Sequence, residues 1–360
     1  MNERIRLVSL FSGIGGFEHG FVNSNLDFEL VFSSEIDKHA IITYGQNFSL
    51  ENMHGNIQKV NEKNIPGHDL LCAGFPCQSF SVAGKQDGFK DIRGTLFFDI
   101  VRIIKEKKPK CIFLENVKNL ISHDGGSTIK TILKNISNCG YTFDITVINS
   151  SEVGVPQNRE RTYIVGFLNY NSEKFVNDKR SIKITEIKNW ANENSLKTMN
   201  FFNDIIFEKN VKYISDILEK GVAEKYYLNS LKVEKFIETI NVGCLTSKFE
   251  DKIVKEFDLP REVHNDLERQ RRVYSIKGIS PTILARSDSP KVIVDVGNKY
   301  KIRKLTPFET FKIQGFDSKF VRNIKKSDMS DTQLYKQAGN AVSPPVITPI
   351  VNKIKELFYD

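Results

Sequence analysis

Apolar residues in this chain fall into short runs separated by stretches long enough for helices. Ile5, Leu7, Val8, Leu10 and Phe11 form the first β-like run, which ends in Ser12-Gly13-Ile14-Gly15-Gly16 and passes into a predicted helix from Phe17. A second run, Leu30-Val31-Phe32, ends at Ser34-Glu35-Ile36-Asp37, and further runs lie at 69–75, 111–114, 143–148 and 162–167. Between them, Leu96 to Lys107 and Thr128 to Asn138 repeat apolar residues every three or four positions, as helices packed on one face do. Alternation of this kind predicts an α/β fold built on a doubly wound, mostly parallel sheet.

The alternation stops after about Asn169, where Asn, Lys, Glu and aromatic residues predominate and the single tryptophan, Trp190, occurs. It resumes only near the end, where Pro344-Pro345 leads into a helical period from Val346 to Phe358. A chain of 360 residues exceeds the usual single domain, so two are expected. The first takes 1–172 plus 325–360 and the second, smaller and irregular, takes 173–324.

Composition narrows the functional classes. Five cysteines, without a CxxC pair or a zinc-type Cys/His spacing, argue against a disulfide framework and against a structural metal. Reduced thiols and a cytoplasmic location are expected. No charged start leads into an apolar stretch, and no apolar run approaches the roughly 20 residues that span a bilayer. A net charge of +8 suits a polyanionic partner, and Arg269-Gln270-Arg271-Arg272, followed by Tyr274 and Lys277, concentrates that charge.

Two local patterns carry chemistry. The glycine turn after the first strand lets backbone approach a ligand, and Glu35, 20 positions after Gly15, is placed to hold ribose hydroxyls. A dinucleotide fingerprint would want a third glycine at position 18, which is Glu18; a carboxylate there suits a cofactor without phosphates, such as S-adenosylmethionine. The second pattern is Gly74-Phe75-Pro76-Cys77-Gln78-Ser79-Phe80-Ser81 after Leu70-Leu71-Cys72-Ala73. A cysteine where a buried strand empties into a loop is a nucleophile candidate. Cys72, Cys111 and Cys139, inside apolar runs, read as small buried hydrophobes.

Taken together, Phe11 to Gly16, Gly74 to Gln78, Arg93-Gly94-Thr95-Leu96-Phe97, Glu115-Asn116-Val117, Gln157-Asn158-Arg159-Glu160-Arg161 and Gly339-Asn340-Ala341-Val342 resemble the DNA cytosine-5 methyltransferases of bacterial restriction-modification systems. The resemblance spans 5–167 and 300–358 and leaves most of the second domain unmatched. It implies a Rossmann-like, S-adenosylmethionine-dependent catalytic domain and a target-recognition domain. The implied reaction is methyl transfer to carbon 5 of a cytosine flipped out of duplex DNA, leaving S-adenosylhomocysteine. A monomer is expected, together with a possible cognate restriction endonuclease acting independently.

The same resemblance distributes roles. Cys77 attacks carbon 6, Glu115 absorbs charge at ring nitrogen 3, and Arg159 and Arg161 orient the base, with Arg161 pairing to Glu115. Phe11, Ser12, Gly13, Gly15, Gly16, Glu35, Ile36, Asn56, Ile57, Pro76, Leu96, Asn340 and Val342 contact the cofactor. Gln78, Lys85 and Arg93, in a polar loop over 78–95, and Arg271, Arg272 and Tyr274 contact DNA. Two departures stand out: Asn56 replaces the usual aspartate, which predicts weaker cofactor binding, and Ile36 stands where an aromatic residue is often found. A transfer RNA methyltransferase and a catalytically silent DNA-binding regulator are the alternatives.

Overall fold

The structure, a computed structural model, describes residues 4–76, 96–178, 180–207 and 210–359. Two compact units divide the chain. The first holds residues up to Ile148, Glu160–Ile206 and Val346 onward, and the second holds Asn149–Arg159 and Phe207–Pro345.

The first unit contains a seven-stranded sheet. In chain order its elements are β1 (Ile5–Leu10), α1 (Gly16–Val22), β2 (Phe28–Ser34), α2 (Lys38–Gly45), β3 (Met53–His54), β4 (Leu70–Gly74), α3 (Leu96–Lys107), β5 (Cys111–Val117), α4 (Ser127–Asn138), β6 (Tyr141–Asn149), β7 (Glu160–Leu168) and α5 (Ile182–Glu193). The strands lie in the order β3-β2-β1-β4-β5-β7-β6. β1 pairs in parallel with both β2 and β4, β4 pairs in parallel with β5, and β7 runs antiparallel to β5. The expected mostly parallel sheet is therefore present.

Burial explains why these segments take these forms. Strands of such a sheet are covered on both faces, so Val8, Leu10, Leu71, Ile112 and Leu114 are all buried. Phe97, Ile100 and Ile104 of α3, with Ile129, Ile132, Leu133 and Ile136 of α4, belong to the same core cluster. Each such side chain contributes about 1.5–3 kcal/mol on leaving water. Cys72 and Cys111 are buried among them, and burial pushes both thiols well above their ordinary range. Cys139, expected to be buried, is only half-buried because it caps the C-terminus of α4.

The final helix, α10 (Pro344–Tyr359), completes this unit from the far end of the chain. Thr348 Oγ1 donates to the Gly20 carbonyl of α1 at 3.0 Å, Asn352 Oδ1 accepts from the Asn25 amide at 2.9 Å, and Lys355 Nζ donates to the Asn25 carbonyl at 2.7 Å.

Residues 173–206 also pack within the first unit, whereas loss of alternation had put a boundary at 173. The physical reason is a buried cluster on β6. Lys188 of α5 is fully buried, with Nζ 2.9 Å from Asp144 Oδ1 and 3.8 Å from Asp178 Oδ2 and lying 4.9 Å from the centre of the Phe175 ring. Asp144 Oδ2 accepts from the Phe202 amide at 2.8 Å, and Phe143 exchanges backbone hydrogen bonds with Lys197 and Met199. Charged residues in a polar-looking segment thus form an interior contact, which composition alone assigns to the surface.

The second unit holds α6 (Leu231–Thr239), β8 (Lys255–Asp258), β9 (Arg272–Tyr274), β10 (Lys291–Val296), β11 (Lys299–Lys304), α7 (Pro307–Ile313), α8 (Ser318–Ile324) and α9 (Asp331–Asn340). Its four strands lie in the order β11-β10-β9-β8 over a core of Val233, Leu259, Val273, Ile293 and Ile302. Gly297 and Asn298, at φ 60 and 66, make the two-residue turn that suits the twist of the β10–β11 hairpin. Arg303 and Glu309 are buried as a two-pronged pair at 2.7 and 2.8 Å, and Glu309 also closes the capping box of α7 with Thr306.

The cluster on β6 has a measurable consequence. Asp144→Ala leaves the Lys188 charge buried with only the more distant Asp178, so urea unfolding is expected to lose about 3–5 kcal/mol. The double change Asp144→Asn with Lys188→Met is expected to lose clearly less; an equal loss would show that packing, not charge pairing, holds this segment.

Candidate active site

The strand order reverses between β1 and β4: β2 and β3 lie to one side of β1, and β4 and β5 to the other. Loops leaving the carboxyl ends of strands at such a point diverge and leave a crevice. The Ser12–Gly16 turn leaves β1 there, and Phe75-Pro76 leaves β4.

The turn has the backbone that its glycines permit. Gly13 and Gly15 have φ 57 and 89, and Phe11 adopts φ 57 despite its side chain. A Cβ at Gly15 would fall 2.3 Å from a ring carbon of Phe48. Glu35, at the end of β2, holds the turn from the side. Its Oε2 accepts from the Gly13 amide and its Oε1 from the Ile36 and Asp37 amides, all at 2.8 Å. Three of about four acceptor positions of the carboxylate are thereby used, and one on Oε2 remains for a ligand hydroxyl. Ile36 beside it is 70% exposed.

Other expected cofactor residues divide by exposure. The Ser12 hydroxyl turns inward and donates to the Ser9 carbonyl at 3.1 Å, so Ser12 shapes the turn rather than offering its side chain. Asn56 Oδ1 accepts from the Gln58 amide at 3.0 Å, capping a short helical turn, while Ile57 is buried in the core. Leu96 is half-buried at the start of α3, and Pro76 is exposed.

At the next strand pair, Gly74 of β4 stands directly opposite Glu115 of β5. Glu115 and Val117 share one face of β5 and oppose Tyr163 and Arg161 of β7. Arg161 Nε lies 3.3 Å from Glu115 Oε1, with the two side chains 15% and 10% exposed, and Arg161 Nη1 donates to the Glu160 carbonyl at 2.8 Å. The expected pair is thus formed. Asn116, on the other face, is buried and donates from Nδ2 to the Phe75 carbonyl at 2.7 Å, while its Oδ1 accepts from the Val117 amide. This bond ties the segment entering Cys77 to the strand that carries Glu115.

Cys77, Gln78, Lys85 and Arg93 lie outside the described residues. Arg159 stands apart from Arg161, in the second unit. Strand β7 begins at Glu160, so Arg159 lies just before the strand that carries Arg161. Arg159 is buried and donates to the carbonyls of Ile283, Gly339 and Ala341. Asn340 is exposed and Val342 half-buried, both in the second unit. Among the expected DNA contacts, Arg271 donates to the Leu259 carbonyl at 2.7 Å and Arg272 lies 3.3 Å from Glu268. Tyr274 is buried in β9 between β8 and β10, which removes its side chain from a solvent-facing contact.

Sequence reasoning treats Asn116 only as a neighbour of Glu115 and Glu18 only as an obstacle to phosphate. Both are structural supports of the crevice. The signal was available for Glu18, a lone carboxylate within Gly16-Phe17-Glu18-His19-Gly20-Phe21, whose remaining residues are all buried. Its Oε1 accepts from the Tyr44 hydroxyl at 3.3 Å.

Known proteins resemble this chain in sequence and in fold. The profile of the family described as C-5 cytosine-specific DNA methylase matches residues 5–356. The type II methyltransferase M.SsoII of Shigella sonnei is 39% identical over 98% of this chain and 80% of its own length. The orphan methyltransferase M.SPBetaI of Bacillus phage SPbeta is 34% identical over 98% of both chains. The type II methyltransferase M.HhaI of Haemophilus parahaemolyticus is 34% identical over 99% of this chain and 94% of its own. The solved Dnmt2 methyltransferase of S. pombe shares the fold, with a TM-score of 0.68 at 17% identity over 99% of this chain and 100% of its own.

Burial raises the Glu18 carboxyl to about 7, against a smaller opposing effect of hydrogen bonds from Ser9, Tyr44 and Ser12. Below pH 4.5 it is protonated folded and unfolded alike. As pH rises from there towards 7 the unfolded chain gives up this proton first, so stability falls, by about 3 kcal/mol in full. Glu18→Gln keeps the shape without the charge. Its melting temperature is expected to match the unaltered protein near pH 4.5 and to exceed it increasingly towards pH 8; a gap independent of pH would refute the assignment.

Proposed function

Because the chain belongs to the C-5 cytosine-specific DNA methylase family, we propose that it transfers a methyl group from S-adenosylmethionine to carbon 5 of a flipped-out cytosine in a short duplex DNA site. The observation that carries this reading is the largely shielded Glu115–Arg161 pair at the strand ends beside the segment that leads into Cys77.

Carbon 5 of cytosine is too weak a nucleophile to take a methyl group unaided. Attack by the Cys77 thiolate forms a sulfur–carbon bond at carbon 6 and moves the electron pair of the ring double bond towards carbon 5, making it nucleophilic; once carbon 5 carries the methyl group, it gives up its proton to a base, the double bond re-forms and the sulfur–carbon bond breaks to return the thiolate. Glu115, as a carboxylic acid, donates a proton or a strong hydrogen bond at ring nitrogen 3 and so offsets the charge that develops. Arg161 keeps Glu115 in place and presents donors to the exocyclic oxygen of the base. Asn116 fixes the Phe75 peptide, two residues before the thiol. A base within the stack is closed to this attack, which is why extrusion into the crevice is part of the proposal.

The residues of the first unit fit the cofactor. Glu35 retains an acceptor for a ribose hydroxyl, the turn brings backbone close, and Ile36 offers an apolar face. S-adenosylmethionine supplies the electrophilic methyl group when bound. Asn340 and Val342 serve its methionine part, and Asn56 accepts from its adenine amine. Gln78, Lys85, Arg93, Arg271 and Arg272 are assigned to DNA, Arg271 and Arg272 to phosphates rather than base edges. The product protects the methylated site against a cognate endonuclease where one is present.

Cys77→Ala is expected to abolish transfer of labelled methyl to duplex DNA while gel-shift binding of that DNA persists. Transfer to RNA instead of duplex DNA would sink the substrate assignment, and bisulfite sequencing of DNA from expressing cells reads the target. Asn56→Asp keeps the cap and adds charge to the adenine contact. It is expected to tighten cofactor binding about three- to tenfold by calorimetry, the gain of a charge-assisted over a neutral hydrogen bond; an unchanged dissociation constant would refute the role given to Asn56.

A further inference from the structure

The turn at the end of α9 is held more firmly than chain reversal requires. The last carbonyls of a helix have no partner within it. In α9 they are met by side chains from elsewhere in the second unit: Gln314 Nε2 donates to the Ala338 carbonyl at 2.6 Å, and Arg159 Nη2 donates to Gly339 at 3.0 Å and Ala341 at 2.8 Å. Gly339 and Ala341 flank Asn340, so a single nitrogen brackets that residue from both sides. A cation at this end of a helix is also favoured by the helix dipole.

Arg159 is itself immobilised. It is 2% exposed, its amide donates to Asn149 Oδ1 at 3.0 Å, and its carbonyl accepts from the Ser150 amide at 2.9 Å. Its Nη1 reaches the Ile283 carbonyl at 3.3 Å. The segment around Ile283 closes on the turn from another direction. A Cβ at Gly339 would fall 2.2 Å from the Leu284 carbonyl carbon and 2.3 Å from the Ala285 nitrogen, leaving no room for a side chain. Ile283 is further tied to Gln157, whose Oε1 accepts from the Ile283 amide at 2.8 Å. Asn340 is exposed on a turn whose neighbours Gly339 and Ala341 are buried.

We propose that Arg159 is a positioning residue for the turn that presents Asn340 and Val342 to the cofactor, rather than a contact to the base, and that it ties this turn to the Ile279–Ala285 segment. The inference rests on the cofactor role given to Asn340 above. A guanidinium suits this because its rigid fork reaches the Ile283 carbonyl through one nitrogen and the Gly339 and Ala341 carbonyls through the other. The geometry separates two arginines that stand one residue apart in sequence: Arg161 serves the base through Glu115, and Arg159 serves the cofactor through backbone.

The test is calorimetric titration of S-adenosylhomocysteine into the full chain, paired with steady-state methylation kinetics. Arg159→Lys and Arg159→Met are each expected to weaken S-adenosylhomocysteine binding, about tenfold and more than tenfold, as loss of one or two charge-assisted hydrogen bonds would. The KM for cofactor rises in parallel, whereas kcat at saturating cofactor stays within a fewfold of the unaltered value. Gly339→Ala, which displaces the same turn without touching the guanidinium, gives the same pattern and covers the case in which an Arg159 variant fails to fold. Asn340→Ala combined with Arg159→Lys loses less affinity than the two single losses multiplied, because one acts through the other. Unchanged S-adenosylhomocysteine affinity with a collapse of kcat at saturating cofactor would overturn the proposal in favour of a base contact. Failure of the unaltered protein to bind S-adenosylhomocysteine would overturn the cofactor reading and this inference with it. Binding by the unaltered protein that is equalled by all three single variants at Arg159 and Gly339 overturns the inference alone.

Discussion

The parallel pairing of β4 with β5 is the constraint on which the site depends. Its register sets Gly74 against Glu115, and the Asn116 amide then fastens the Phe75 carbonyl one step further on. Two segments separated by some 40 positions in sequence are thereby held at a spacing that neither could set alone. β7 adds Arg161 from the opposite side, and because it runs antiparallel its first residues meet the last residues of β5. Side chains that must meet one ligand from separate strands need this kind of rigidity, which hydrogen-bonded strand ends supply better than loops do.

Much of this was legible in the sequence because each signal was local. The run Cys111 to Leu114 predicts a strand, and a glutamate at its end predicts a carboxylate at the sheet edge. Positions 96–107 repeat their apolar residues at helical spacing, and α3 occupies those positions. The glycine turn was readable because few residues other than glycine tolerate its backbone. These inferences need only the chain itself and the periodicity of its elements.

What could not be read was set by partners distant in sequence. Nothing near Arg159 announces that its guanidinium serves Gly339 and Ala341, 180 and 182 positions away. Arg161 lies within β7, whereas Arg159 stands just before the strand begins. Lys188 and Asp144 look like surface charges until each is seen to neutralise the other in the interior, and with them goes the boundary assigned at 173. Tyr274 follows an arginine cluster and invites a DNA role, yet its place between two strands buries it.

The return of α10 to the first unit has a consequence for the order of events during synthesis. The Gly20 carbonyl and the Asn25 backbone groups, made among the first residues, find their partners in Thr348, Asn352 and Lys355, made among the last. A nascent chain can form the sheet early, but the helix that follows the glycine turn lacks its final support until translation has passed through the whole of the intervening unit. Contacts of such long sequence separation form late. The support behind the glycine turn of the first unit is therefore completed only after the second unit has been made, and an unfinished chain has no fully supported crevice.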